Sequence, residues 1–167
     1  MKDYVAIKNK YRTMERSVLS LILLPLPIFA LIYLNLSKPV QRFEVPELPA
    51  YLESFLLSLT FALILFQEYN FRRSTSQLKG TAVGFEDKML RYFKAVTVRY
   101  VILAIVGLVA SAGLLFFGNI GFIIAYAVVL LLVSLYKPSP VRMIRFFNFE
   151  GEEKDFVQII NREYIEK

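Results

Sequence analysis

Apolar residues in this chain gather into long runs, and four of the runs approach the thickness of a bilayer. A membrane-spanning helix needs about 20 mainly apolar residues. The first run, 18–36, lies in a stretch with no charge between Arg16 and Lys38. The second, 50–66, carries one acid, Glu53, near its start. The third and fourth, 98–117 and 120–136, follow one another so closely that no charged residue occurs from Tyr100 to Tyr136. That stretch is too long for one span. Gly118 and Asn119 supply a tight turn, which predicts a close antiparallel hairpin.

Between the runs the pattern changes to helical periodicity. Ile7, Tyr11, Met14 and Val18 recur every three or four residues among polar ones. They predict an amphipathic helix that runs along the membrane surface into the first span. A signal peptide is the competing reading; the apolar core is too long for one, holds two prolines and lacks a small-x-small cleavage site. The segment 67–97 reads as a helical hairpin: helix 2 extended through Glu68, Arg72, Arg73 and Lys79, a turn at 80–84, then a helix with the stripe Phe85, Met89, Phe93 and Val96. Residues 37–49 hold three prolines and predict an extended crossing. The tail opens on 137–140, which ends the fourth run, and continues as an interfacial segment over 141–149 and an amphipathic helix over 152–165.

The expected fold is therefore all-α: one polytopic membrane domain over 1–167, with four transmembrane helices and cytoplasmic amphipathic helices. Charge orients it. The outer segments, 37–49 and 118–119, hold only Lys38 and Arg42 among the basic residues. The positive-inside rule then places both termini in the cytoplasm. Tyr33, Tyr51, Tyr69, Tyr100 and Tyr136 fall near the span ends, as an aromatic belt requires. A bacterial inner membrane is the simplest home.

Composition narrows the chemistry. The chain has no Cys, no His and no Trp. That excludes disulfides, Fe–S clusters, haem or zinc bound through Cys or His, and triads built on His. No phosphate-binding, hydrolase-elbow or acidic metal motif is present, so neither an enzyme nor a cofactor is expected. The net charge of +6 lies beside the apolar runs, which points to anionic lipid rather than nucleic acid.

Six groups of residues remain as candidates. Pro25 and Pro27 interrupt the first run. They mark either a broken helix along a transport path or, as the favoured reading, a packing kink. Glu53 is either a proton or cation site or an acid solvated at the outer interface. Gln67 and Glu68 with Arg72 and Arg73 form a helix-surface group, in which a gate or docking site is the less favoured reading. Gly107 and Ser111, with Gly121 and Ala125, carry the small-residue spacing of closely packed helices, within the hairpin or between copies; Ala110, Ala112 and Gly113 widen that face. Lys8, Lys10, Arg12, Arg16, Arg72, Arg73, Lys88, Arg91 and Lys94 set topology and suit anionic lipid, with Arg99, Arg142 and Arg145 in the same class. The tail, near neutral, suits docking on the chain's own loop or on a partner.

Two functions stay open. One is a non-catalytic interaction or assembly subunit in a homo- or hetero-oligomer. The alternative is a small oligomeric transporter or channel.

Overall fold

A computed structural model describes residues 2–37, 46, 48–79, 84–136, 140–147 and 157. Most of the crossing at 37–49, the turn at 80–83, the 137–139 stop and nearly all of the tail helix expected over 152–165 lie outside the described residues. Every element among the described residues is a helix: α1 (Lys2–Leu23), α2 (Pro25–Leu36), α3 (Ala50–Lys79), α4 (Phe85–Phe117), α5 (Ile120–Leu135) and α6 (Pro140–Phe147).

At the prolines the first apolar run passes from α1 to α2 across a single residue, Leu24. Pro25 and Pro27 have no N–H to give the carbonyls four residues back. Leu24 nevertheless keeps right-handed helical dihedrals (φ −67°, ψ −49°), and its N–H reaches Ser20 O at 3.2 Å. The stretch Asn9–Leu36 thus forms one 28-residue unit, long and apolar enough to cross a membrane. Three stretches, this one, α3 and α4, are long and apolar enough to span a membrane; α5 is equally apolar but has 16 residues.

α4 is the central post, with α1, α2, α3 and α5 all packed on it. Its 33 residues measure about 50 Å and the 30 residues of α3 about 45 Å, against a hydrocarbon core of about 30 Å. Both helices therefore project well past their apolar runs. The projecting halves share a core with α1 and α6: Ile7, Tyr11, Met14 and Val18 pack with Leu78, Met89, Phe93, Val96 and Met143. One surface placement expected from sequence differs in the structure. The apolar stripe of α1 is covered by protein, because α4 carries a matching stripe beyond its apolar run. In α6, Phe147 meets Tyr92 edge-on at 5.6 Å and Phe146 meets it at a tilt at 6.1 Å between ring centroids.

The outward faces of the apolar halves stay bare. Leu31, Phe55, Leu65, Ile120 and Leu131 are each more than 60% exposed. Such a continuous apolar surface suits lipid tails, since soluble proteins rarely expose apolar patches above a few hundred Å².

The turn between α4 and α5 follows the expected chemistry. Gly118 takes the left-handed conformation (φ 62°) that ends a helix cheaply without a Cβ, and Asn119 caps α5. The closest approach in this hairpin lies at Gly113, one of the residues expected to widen the small-residue face, and not at the spaced Gly107 or Gly121. A Cβ on Gly113 would stand 2.5 Å from Cδ1 and Cζ of Phe122. Gly107 instead faces Pro25 of α2, with 3.0 Å from a built Cβ to the Pro25 Cβ, and Tyr126 of α5. Gly121 faces Leu57 of α3. Ser111 is buried and its hydroxyl donates to Gly107 O at 2.7 Å; Ala125 is also buried. The small residues thus seat three neighbours around α4 and α5 within one copy.

Candidate functional site

α3 and α4 run antiparallel and leave their apolar runs at the same level, α3 after Phe66 and α4 before Tyr100. Polar side chains meet there. Arg99 is 2% exposed, and its Nη2 donates to Glu68 Oε2 at 2.5 Å. Its guanidinium lies over two rings, 3.5 Å from the centroid of Tyr136 and 4.4 Å from that of Phe71. A cation withdrawn from water is tolerated when a counter-ion and aromatic faces replace its hydration. Glu68 also accepts from Arg72 Nε at 2.7 Å, and that contact holds the exposed Arg72 guanidinium above its ordinary pKa.

Beside this ion pair lies a cleft of about 270 Å³ between α3 and α4. Gln67, Asn70, Ser74 and Gln77 line it from α3, and Arg91, Lys94 and Arg99 from α4. Gln67 is 1% exposed, yet neither amide atom has a hydrogen-bond partner, and Arg99 Nε is also buried without one. Orphaned buried polar groups cost stability and call for an explanation. Among the described residues the lining holds three cations and no carboxylate. Chemically it can hold an anion; it offers no imidazole, thiol or carboxylate as a general base.

The other candidates lie elsewhere. Pro25 is buried on Gly107, and Pro27 is exposed. The space beside Pro25 is only about 10 Å³, bounded by Leu21, Leu103, Val129 and the rings of Tyr100 and Tyr126. Phe29, one turn on, stacks on Tyr126 at 3.8 Å. Glu53, at the far end of α3 from the cleft, accepts from Asn119 Nδ2, while Asn119 Oδ1 takes the Gly121 N–H at 2.6 Å. One side chain therefore caps α5 and ties the start of α3 to the α4–α5 turn.

Of the basic residues, Arg91 and Lys94 line the cleft and Arg72 joins the ion pair. Lys10, Arg12, Arg16 and Arg73 are exposed and Lys88 is half-buried, away from the cleft; the side chain of Lys8 lies outside the described set, as do those of Arg142 and Arg145. Sequence reasoning counted Arg99 among the charges that set topology and did not see its burial. One signal was available. Glu68 and Arg99 each stand within two residues of the end of an apolar run, so an antiparallel pair of spans puts them at one height. No protein-family model, curated protein or solved structure matches this chain.

Proposed function

We propose that this chain is a non-catalytic integral membrane protein that acts as an interaction or assembly subunit. Four segments cross the membrane, with 67–97 and both termini in the cytoplasm and Lys38 and Arg42 outside. The cytoplasmic helices form the docking platform. One observation carries the reading: α1, α3, α4 and α6 build a core that extends well beyond the apolar runs, around Met89, Phe93 and Met143. A chain that only had to sit in lipid needs no such core. It fixes a rigid polar surface on one side of the membrane, which is what an assembly partner requires.

The features that favoured transport have packing roles. Pro25 fills the gap over Gly107, and Glu53 bonds Asn119. The space beside the kink is too small for more than about one water.

Native mass spectrometry of the protein released in its own lipid tests the reading. A stoichiometric protein partner is expected, retained in Glu53→Gln. A protein found alone, with a proton or cation flux in liposomes that Glu53→Gln abolishes, would establish the transporter instead.

A further inference from the structure

The orphaned groups in the α3–α4 cleft point to a ligand. We propose that the cleft is a binding site for the phosphate group of an anionic phospholipid, with the acyl chains laid along α4. The inference rests on the membrane placement and not on any protein partner.

Three observations converge. The first is the unmet hydrogen bonding. Gln67 is almost fully buried with its amide free, and Arg99 Nε–H is buried and free beside it. Glu68 already balances the charge of Arg99 through Nη2. Both residues line the cleft, and no carboxylate is among the described residues that line it. Phosphate oxygens accept from such donors in short, charge-assisted bonds.

The second is charge. Arg91 and Lys94 stand at the exposed rim, one turn apart, and no acid is among the described residues that line the cleft. Asn70 and Ser74 add neutral polar groups between them and Gln67. A dianion or monoanion is matched; a cation is not.

The third separates a lipid from free phosphate. Along α4, Arg91 and Lys94 are continued by Val98, Val101, Ile105 and Leu108, at spacings of three and four residues, so all six share one face. The last four are 36–47% exposed. Cations at the end of an apolar, open stripe match a molecule with a phosphate at one end and hydrocarbon at the other. The level also fits, because the inner end of the cleft, at Gln67 and Arg99, sits where both apolar runs end, at headgroup depth. Basic pockets of this kind between spans are suited to anionic headgroups.

The test uses the full chain, delipidated and placed in nanodiscs of phosphatidylcholine with or without phosphatidylglycerol. Bound lipid is counted by native mass spectrometry after mild release. The wild type is expected to retain phosphatidylglycerol in preference to phosphatidylcholine. Arg91→Ala with Lys94→Ala should lower that preference by about tenfold or more, as expected for lost charge-assisted contacts. Arg73→Ala removes an exposed cation that does not line the cleft and should leave the preference within about twofold. Gln67→Leu is the sharpest variant. It removes the orphaned amide, so the lipid-free protein should melt no lower than wild type, while phosphatidylglycerol retention falls.

Equal losses from Arg73→Ala and from the rim variants would mean diffuse attraction and would overturn the site. So would undiminished retention in Gln67→Leu. Thermal stabilisation by inorganic phosphate in pure phosphatidylcholine nanodiscs, without selective lipid retention, would assign the cleft to a soluble phosphate and overturn the lipid. None of these outcomes bears on whether a protein partner exists.

Discussion

Gly113→Ala is expected to lower the melting temperature of the purified protein by roughly 5–10 °C. The added methyl would stand 2.5 Å from Phe122 ring carbons, well inside van der Waals contact. Phe122 has nowhere to turn. It is fully buried, clustered with Ile32 and Leu114, and stacked near Phe117 at 6.3 Å. Backbone movement of α5 is the remaining way out, and the turn resists it through Gly118 and the Asn119 cap. Overpacking a core without slack costs about 2–3 kcal/mol, which corresponds to the stated shift for a chain of this size. Phe122→Leu frees the space but leaves a cavity, so alone it also destabilises. Together the two changes should cost clearly less than the sum of the separate losses. Thermal unfolding in detergent, followed by circular dichroism, measures all three. A Gly113→Ala protein that melts within 1–2 °C of wild type would mean that α5 does not cross α4 at this glycine.

Removing Glu68 should cost more than removing Arg99. In Glu68→Ala the buried guanidinium keeps its aromatic neighbours but loses its counter-ion. Breaking a buried pair from one side costs about 3–5 kcal/mol. Glu68 is 25% exposed, so water replaces part of the lost interaction and about 2–3 kcal/mol is expected. Arg99→Met acts differently. The apolar side chain fills the space between Phe71 and Tyr136, and the freed carboxylate keeps Arg72 and solvent. A loss of about 1 kcal/mol or less follows. Melting temperatures of the two variants decide the order; the reverse order would show that Glu68 does not carry the charge of Arg99.

The two residues show where sequence reading stops. The runs at 18–36, 50–66, 98–117 and 120–136 were legible because a bilayer or a buried core demands length and apolarity, and both can be counted along a chain. The α3 and α4 extensions were legible for a similar reason, since Phe85, Met89, Phe93 and Val96 repeat with the helical period straight into an apolar run. Periodicity says which face of a helix is apolar; it does not say what covers it. Hence the stripe of α1 was expected on lipid and instead meets Met89 and Phe93.

Contacts between helices depend on rotation about each axis, and no single run encodes that. Gly107 and Gly113 look equivalent in sequence, yet one receives Pro25 and the other Phe122. The ring of Phe122 selects Gly113 only after the Gly118–Asn119 turn has set the rotation of α5. Arg99 is the same kind of case. Its burial depends on Phe71 and Tyr136, which come from two other parts of the chain and close over it only in three dimensions. The cleft was partly legible: Arg91 and Lys94 were picked out as lipid-facing cations, whereas the free amide of Gln67 is a property of the packing.

The cytoplasmic platform and the lipid cleft both require the α3–α4 extension to lie on the inner side of the membrane. The absence of cysteine makes this directly measurable, since any cysteine introduced is the sole thiol. Single substitutions Ser37→Cys, Gly118→Cys and Ser76→Cys place a probe after α2, at the α4–α5 turn and in the extension of α3. All three positions are exposed. Intact cells are treated with a membrane-impermeant maleimide, then permeabilised and treated again. Labelling of positions 37 and 118 in intact cells, with position 76 reactive only after permeabilisation, is the predicted result. Labelling of position 76 in intact cells would contradict the orientation, and with it the cytoplasmic platform and the leaflet assigned to the lipid cleft.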